Sequence, residues 1–319
     1  MADIRTKRAA NAQTIYRIGS VTKSFTGVML QQLLQRGAIH LHDSVVRYLP
    51  EFGRVAGRPK GAPPVTVLQL ATMTAGLPAE PREEGAFWTG RADRWESKLL
   101  AALPHSRFEA PPGERFAYSN LGYATLGAAL ARAAKMPFIQ WQQTRILAPL
   151  GMRHTWFEYE PSMNSDLATG YVIGANGALD DSTAARELHE GRGYKVPAGA
   201  IFTTVGDLAR FVSFQLGKAP ESVLSHARLD STYSGTVATS AEMDMGYGLG
   251  FMAQRRDDFP WVGHSGGVPG YTAVMYFDRD HQIGVIILRN ATGGRVRIGR
   301  VAPDMLRVLI DAKLEAARR

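Results

Sequence analysis

Hydrophobic residues recur at helical spacing through most of the chain. Residues 21–35 place four of them on one helix face: Phe25, Val28, Met29 and Leu33. A short helix is predicted in VTVLQLATMTAGLP, with its end at 76–78. Amphipathic runs predict further helices in LGYATLGAALARAAK, FIQWQQTRIL and TTVGDLARFVSFQL. The middle of the chain is therefore expected to be mostly helix and loop.

The last quarter of the chain changes to the period of strands. Strands are predicted at 247–254, 261–267, 271–277 and 283–290, and the turn clusters RRDDFP and DRDHQ separate two of the pairs. A final helix is predicted in APDMLRVLIDAKLEAA. Consecutive strands joined by short turns pair as an antiparallel meander, so the terminal helix is expected to cover one face of the sheet.

Composition narrows the class of protein. The 319 residues are 45% hydrophobic and 21% charged and include no cysteine, which excludes disulfides and thiolate metal sites. The net charge is +8, but the arginines are spread along the chain, so a solvated surface is favoured over a nucleic-acid site. No apolar run is long enough for a membrane span or a leader. The compartment stays open: cytoplasm, or periplasm or exterior if a leader precedes this sequence.

One serine lies in a pattern shared with lipases and esterases. Residues 261–271 read WVGHSGGVPGY, and GHSGG matches G-x-S-x-G, the elbow in which a sharp turn joins a strand to a helix. Here the pattern runs into VPGYTAVMYF, which predicts another strand. Short motifs also match by accident. We therefore predict that Ser265 is not the nucleophile.

A better nucleophile lies at the start of the first predicted helix. Ser20 and Lys23 are three residues apart, so the lysine amine lies one helical turn from the serine hydroxyl. A serine hydroxyl needs a base at neutral pH, and a desolvated lysine with a lowered pKa can be that base. A helix N-terminus also favours an oxyanion beside it. Taken alone, this spacing fits an ordinary surface helix equally well.

Two further groups of residues favour the catalytic interpretation. Tyr118, Ser119 and Asn120 follow a loop rich in Pro and Gly where a helix begins. A phenol beside an amine can relay a proton, and an asparagine amide can hold a substrate carbonyl. His264 and Gly266 lie on a predicted strand whose glycines let a substrate approach the backbone.

The order S-x-x-K, Y-x-N and a basic residue followed by x-G resembles the active-site set of serine β-lactamases and penicillin-binding proteins. Longer phrases resemble its class C branch: YRIGSVTKSFTG, PPGERFAYSNLGYATLG, PLGMRHTWF, PAGAIFTTVGDLARF and GHSGGVPGYTAVMYF. That branch includes class C β-lactamases, D-alanyl-D-alanine carboxypeptidases, D-aminopeptidases of the His-x-Gly type and the carboxylesterases often called family VIII. The resemblance covers nearly the whole chain, and it is more specific for the fold than for the substrate.

The resemblance implies a role for each matched residue. Ser20 is the expected acylated nucleophile, and Lys23 is its partner base. Tyr118 is the expected acid/base for the leaving group and for water, and its division of work with Lys23 stays open because the two titrations are coupled. The backbone N–H groups of Ser20 and Gly267 are expected to hold the oxyanion. The expected substrate-binding residues are Asn120, His264, Gly266 and Gly267.

His264 departs from the class C pattern, because it takes the place that a lysine fills in true class C β-lactamases. A histidine lacks the permanent charge that grips a substrate carboxylate, so ester or peptide chemistry is expected in preference to efficient cephalosporin hydrolysis. Ser265 beside it is expected to line the cleft. His-x-Gly and Tyr-Ser-Asn also occur together in the D-peptidase relatives, which keeps a peptidase open.

The N-terminal region is a second departure. Relatives carry a helix and one or two strands before the S-x-x-K helix, whereas here only a short segment precedes it. The sheet is therefore expected to leave the apolar strand 283–290 unpaired at one edge. Such an edge tends to pair with another chain, so we predict self-association as a homo-oligomer.

Together these patterns predict a single β-lactamase-related catalytic domain over 1–319. The fold class is α/β (α+β), with an antiparallel sheet flanked by terminal helices and an inserted, mainly helical lobe. The sheet lobe is assigned to 1–19 and 245–319, and the helical lobe to 20–244.

The predicted activity is hydrolysis through an acyl-enzyme on Ser20. A carboxylesterase with weak β-lactam hydrolysis is favoured, and the substrate is a small ester, amide or β-lactam. The alternatives are a D-alanyl-D-alanine carboxypeptidase, a D-aminopeptidase and a non-catalytic penicillin-binding-like protein. No cofactor, nucleic-acid partner or metal is expected, because HLHD at 40–43 lacks a third ligand.

Overall fold

The structure is a computed structural model that describes residues 1–83, 85–218, 221–234, 237–240, 245–254 and 260–318. The described residues form these α-helices: α1 Thr22–Gln35, α2 Val67–Ala71, α3 Trp95–Ala102, α4 Asn120–Ala134, α5 Phe138–Gln142, α6 Ser182–Glu190, α7 Val196–Gly199, α8 Val205–Gln215, α9 His226–Ser234 and α10 Ile298–Ala317. They also form these β-strands: β1 Ile15–Arg17, β2 Thr155–Trp156, β3 Tyr171–Ile173, β4 Leu179–Asp180, β5 Phe202–Thr204, β6 Val237–Ser240, β7 Met245–Gly248, β8 Phe251–Gln254, β9 Trp261–Val268, β10 Tyr271–Asp278, β11 Ile283–Arg289 and β12 Ala291–Gly293.

The predicted meander is confirmed. Six strands form one sheet in the order β11-β10-β9-β8-β7-β6, and each neighbouring pair is antiparallel. One face of this sheet packs against α10, where Ala302, Leu306 and Ile310 contact a cluster that includes Val274 and Tyr276. The mixed helical and antiparallel architecture agrees with the α/β (α+β) class that the sequence indicated.

The predicted strand 247–254 is wrong, because the structure divides it into a hairpin. β7 and β8 pair across a turn in which Leu249 has a φ of 49° and Gly250 a φ of 96°. The turn lies directly on α1: a Cβ on Gly27 would be 1.9 Å from the Leu249 carbonyl oxygen, and Ser24 Oγ donates to Gly250 O at 2.8 Å. Close packing of this turn on α1 therefore explains why the predicted strand is interrupted at Leu249 and Gly250.

Helix bounds differ from the sequence expectations at several places, and α2 and α10 are two examples. α2 ends at Ala71 instead of 76–78, because Met73 has a positive φ of 58° that a helix does not accommodate. α10 begins at Ile298, four residues before the predicted start at 302. The predicted turn RRDDFP falls mainly on 255–259, which lie outside the described residues.

The strand before Ser20 does not join the six-stranded sheet. β1 pairs with β5, and β5 pairs with β2, in a separate three-stranded sheet. A third small sheet has the order β12-β3-β4. Residues 1–19, which were assigned to the sheet lobe, thus contribute no strand to the large sheet. The division into two lobes stays a prediction.

Helix α1 is the centre of the core. Its residues from Thr22 to Leu33 are all buried, including polar ones, because the helix contacts α4, α7 and the strand β9. Several of its buried polar side chains find partners in other elements; Thr26 Oγ1, for example, donates to Pro197 O at 2.7 Å. A helix enclosed in this way holds Lys23, and the turn with Ser20 that directly precedes the helix, in one position.

The sheet ends at β11, which pairs with β10 on one side and with no other strand among the described residues. The side chains of β11 contribute to packing on both faces: Ile286 and Leu288 contact the main core, and Val285 and Ile287 contact the α10 cluster. The backbone edge is thus the part of β11 without a neighbouring strand in the described chain. Among the described helices, none has the length and apolarity that a bilayer crossing requires.

Candidate active site

Ser20 lies in a tight turn that joins β1 to α1. Residues Gly19–Val21 form a 3-10 turn, and Gly19 has a φ of 50°. A Cβ on Gly19 would be 2.8 Å from the backbone nitrogen of Gly267 on β9. Only glycine accommodates both the positive φ and this close approach, so the turn brings Ser20 against β9.

Lys23 forms the predicted contact with Ser20. Its Nζ is 3.1 Å from Ser20 Oγ, 2.6 Å from Asn120 Oδ1 and 2.8 Å from the carbonyl oxygen of Ala198. Lys23 is 0% exposed. Burial lowers the pKa of Lys23 well below its ordinary value, and this shift is opposed by Glu80 and increased by Arg192 and Lys195. The site therefore favours an amine that can accept a proton.

Tyr118, in the loop before α4, contacts the same pair of residues, Ser20 and Lys23. Its ring centroid is 4.8 Å from Lys23 Nζ, and 36% of the residue is exposed at the cleft. The hydroxyl group itself is surrounded by protein although other parts of the residue are exposed, and this burial raises its pKa above the ordinary value; a hydrogen bond with Ser20 opposes that rise. Ser119 caps α4 by accepting from the Gly122 backbone at 2.8 Å, which fixes the chain between Tyr118 and Asn120.

Asn120 is the first residue of α4, and both ends of its amide are bound. Oδ1 accepts from Lys23 at 2.6 Å, and Nδ2 donates to Glu80 Oε1 at 2.9 Å. Ser20, Lys23, Tyr118 and Asn120 are thus brought together from two separate segments, as the sequence predicted. Their roles stay predictions.

His264 lies on β9 and is 1% exposed. Its Nε2 is 3.1 Å from the Tyr247 hydroxyl, and its Nδ1 is 2.5 Å from the carbonyl oxygen of Ser265. Burial and then the charge of Lys23 lower the pKa of His264 to about 3. The imidazole is accordingly neutral near neutral pH and bound to protein groups. Its role in substrate binding stays a prediction.

Gly266 and Gly267 bring β9 against the Ser20 turn. A Cβ on Gly266 would lie 2.0 Å from the Ile18 carbonyl oxygen and 2.7 Å from the backbone nitrogen of Ser20. The Gly267 nitrogen in turn lies 2.8 Å from the position of a Cβ on Gly19. Two backbone nitrogens, of Ser20 and Gly267, are therefore close to the junction of the turn and the strand.

Ser265 does not line this cleft as expected. It lies between His264 and Gly266 on β9, so its side chain points to the opposite face of the strand. There it interacts with Tyr276, and it lines a separate cavity of about 410 Å³ with Arg289 and Arg297. The strand continues through a turn into β10, so the strand–turn–helix geometry of a nucleophile elbow is not formed.

Glu80 and Lys195 belong to the site, and the sequence analysis missed both. Glu80 Oε1 is 3.4 Å from Lys195 Nζ, and the Tyr194 hydroxyl bonds Glu80 Oε2. Lys195 Nζ lies 4.1 Å from the Trp88 ring centroid. A cavity of about 810 Å³ continues from here; Trp88, Arg186, Glu190, Arg192 and Lys195 contribute to its lining. No spacing motif links these residues to Ser20, so the sequence offered no signal for them.

His40 and Asp43, whose residue types often bind metals, lie together in a turn. Asp43 Oδ2 accepts from the His40 backbone at 2.9 Å and from the Tyr48 hydroxyl at 2.5 Å. Over the part of the chain that the structure describes, no group of three or more His, Cys, Asp or Glu residues is arranged to hold a metal ion.

Comparison with known proteins identifies the family. The family profile named Beta-lactamase matches residues 1–305, and the chain belongs to this family. It is similar to Protein flp of Staphylococcus aureus strain MW2, with 28% identity over 292 residues, which cover 90% of this chain and 55% of that protein. The chain spans about half the length of the curated relatives it matches.

Two solved structures have the same fold. The octameric penicillin-binding protein homologue from Pyrococcus abyssi has a TM-score of 0.80 and 26% identity, and the match covers 97% of this chain and 69% of that one. A D-stereospecific amidohydrolase from Streptomyces sp. has a TM-score of 0.70 and 25% identity, with 87% and 82% covered. The predicted resemblance to the β-lactamase and penicillin-binding superfamily is confirmed.

Proposed function

We propose that this chain is a serine hydrolase that forms an acyl-enzyme on Ser20 and acts mainly on small or acyl-chain carboxylic esters, with weak β-lactam hydrolysis. The contact between Ser20 Oγ and the buried amine of Lys23 at 3.1 Å carries this proposal. An amine with a lowered pKa has a free lone pair near neutral pH and can take the serine proton. Membership of the β-lactamase family supports the same chemistry.

Acylation follows from the positions of the four side chains. Lys23 accepts the proton of Ser20 Oγ, and Oγ forms a bond to the ester carbonyl carbon. The carbonyl oxygen takes the negative charge and is held by the N–H groups of Ser20 and Gly267. The carbon–oxygen bond to the alcohol then breaks, and the alcohol leaves with a proton from Tyr118, which Lys23 replenishes.

Hydrolysis of the acyl-enzyme repeats these steps with water. Tyr118 and Lys23 together take a proton from the water, whose oxygen bonds to the acyl carbon, and Ser20 regains its proton as it leaves. Asn120 orients the acyl group by its amide. Tyr118 and Lys23 titrate as a coupled pair, so the apparent pKa values describe the pair and not either residue alone.

The preference for esters rests on His264. Its neutral imidazole supplies no charge to hold the carboxylate of a cephalosporin, whereas a neutral ester needs no such partner. A D-peptidase is the second candidate, favoured by the similarity to an amidohydrolase from Streptomyces sp.. A protein that acylates without turnover is the third.

Incubation with matched substrates tests this proposal. The panel consists of p-nitrophenyl acetate, butyrate and hexanoate, nitrocefin and a D-alanyl-D-alanine peptide, each assayed for turnover and for a covalent adduct by intact mass. We expect ester turnover above that of nitrocefin, and an adduct that peptide mapping places on Ser20.

The remaining outcomes separate the alternatives. Turnover of the peptide alone would replace the esterase by the D-peptidase. A stable adduct on Ser20 without product release would indicate the non-catalytic protein. An adduct on another residue, or none with any substrate, would overturn the acyl-enzyme proposal.

We also propose that the chain self-associates through the β11 edge. The edge has no neighbouring strand in the described chain, and its strand is apolar. The similar protein from Pyrococcus abyssi is octameric, which supports an oligomer in this family. The expectation that the partner is a small molecule and not a nucleic acid stays a prediction.

A further inference from the structure

A carboxylate binds the NH₂ end of the Asn120 amide, opposite the oxygen that contacts Lys23. Glu80 Oε1 accepts from Asn120 Nδ2 at 2.9 Å, and its other oxygen is bonded by the Tyr194 hydroxyl. Lys195 adds an ammonium 3.4 Å from Oε1. Glu80 is therefore bound by three groups from two separate chain segments, which gives its carboxylate a defined position.

The contacts of Glu80 decide which way the Asn120 amide faces. A side-chain amide has an acceptor end and a donor end, and exchanging them leaves its shape almost unchanged. A carboxylate accepts hydrogen bonds and cannot donate them, so it binds only the NH₂ end. With Glu80 on that end, Oδ1 must face Lys23 Nζ, where it is found at 2.6 Å.

We propose that Glu80 is a positioning residue for the reaction at Ser20: it holds the Asn120 amide with Oδ1 toward Lys23, and Lys195 holds Glu80 in place. Glu80 does not contact Ser20 and acts through Asn120. This inference rests on the proposed function for its catalytic consequence. The orientation of the amide and the charge around Lys23 are properties of the protein without substrate.

The two charged residues also act on Lys23 in opposite directions. The groups that face the Lys23 amine are Tyr118 and Tyr123 from the α4 region, Glu80, Arg192 and Lys195 from the loops, and His264 from β9. The negative charge of Glu80 favours the protonated amine, and the positive charges of Arg192 and Lys195 disfavour it. Removing Glu80 must therefore lower the pKa of Lys23, and removing Lys195 must raise it.

Lysine labelled with ¹³C at Cε provides a readout that needs no substrate. The Lys23 resonance is identified by its absence in Lys23→Met, and its pH titration gives the pKa of the amine. We expect the midpoint to fall by about one pH unit in Glu80→Gln and to rise by a similar amount in Lys195→Met. The double variant is expected to lie between the two, because the lost charges have opposite sign.

Two control variants show whether a change in the Lys23 midpoint comes from the charges of Glu80 and Lys195 or from any substitution in the protein. Lys195→Arg keeps the positive charge, and Glu109→Gln removes an exposed carboxylate elsewhere, so both are expected to keep the wild-type midpoint. In Glu80→Gln the glutamine can donate to Asn120 Oδ1 and allow the amide to turn over. We therefore expect its kcat for a p-nitrophenyl ester to fall about 10- to 100-fold.

Two results would contradict the inference. Midpoints of Glu80→Gln and Lys195→Met that stay at the wild-type value, or move in the same direction, refute the charge relation. A kcat of Glu80→Gln within twofold of wild type refutes the positioning. If Glu80→Gln does not fold, Lys195→Met must still raise the midpoint. Absence of ester turnover in the wild type would refute the proposed function alone, because the titration is measured without substrate.

Discussion

Ser20 and Ser265 each lie in a stretch that matches a motif of serine nucleophiles, yet their surroundings differ. Ser20 Oγ is 3.1 Å from a lysine amine whose pKa is lowered by burial, and a tyrosine hydroxyl bonds it as well. Ser265 interacts with Tyr276, a phenol whose pKa is raised by burial. Such a phenol is not a base near neutral pH. Ser20 thus has a neighbour that can accept its proton, and Ser265 has none at the contact described.

The same contrast applies to the two faces of β9. Toward Ser20, the strand presents Gly266, with no side chain between its backbone and the turn. Toward α10, it presents Ser265 beside a cavity whose lining includes arginines. The first face is packed directly against the Ser20 turn, whereas the second packs on α10 and leaves a cavity beside Ser265. The following predictions test this comparison.

The largest expected effect is on catalysis. We expect Ser20→Ala to lower kcat/KM for p-nitrophenyl esters at least about 1000-fold, because the variant lacks the proposed nucleophile. Ser265→Ala is the matched change on the other face and is expected to stay within about threefold of wild type. Steady-state kinetics on both purified variants checks this. If Ser265→Ala were inactive and Ser20→Ala active, Ser265 would be the nucleophile, as the G-x-S-x-G motif suggests.

A smaller effect is expected on stability, at two adjacent glycines. A Cβ on Gly266 would lie 2.0 Å from the Ile18 carbonyl oxygen, so the backbone of the Ser20 turn must move in Gly266→Ala. We expect a loss of about 3 kcal/mol in the free energy of unfolding. A Cβ on Gly267 meets its nearest atom at 3.9 Å, so Gly267→Ala is expected to cost less than about 1 kcal/mol. Urea unfolding of both variants measures the difference, and equal losses would contradict the tight packing at Gly266.

The smallest effect concerns the outer part of the sheet. If the β11 edge pairs with another copy of the chain, the weight-average mass must rise with concentration. We expect sedimentation equilibrium at micromolar concentration to show a population above the monomer mass. A mass that stays at 34.8 kDa across the series would exclude self-association and show that the edge is satisfied within one chain.

Local patterns were sufficient to predict the elements that hold the proposed active site. Ser20 and Lys23 are placed by the geometry of a single helical turn, so their contact could be predicted from spacing alone. The strands β9, β10 and β11 alternate or run apolar over seven or eight residues, and their bounds came within one residue. The β7–β8 hairpin was missed because its turn depends on contact with α1, which no local pattern encodes.

The sequence by itself determined the family, the order of the motifs and the pairing of a serine with a lysine, because these depend on residues close together in the chain or on whole phrases. Only the tertiary structure decided which groups surround that pair. The Asn120 contact with Lys23 spans 97 residues, and the Ala198 contact spans 175. Glu80 and Lys195 reach the site across 115 residues from each other. Such contacts depend on how buried elements pack, since packing alone sets the distances and the desolvation that shift a pKa.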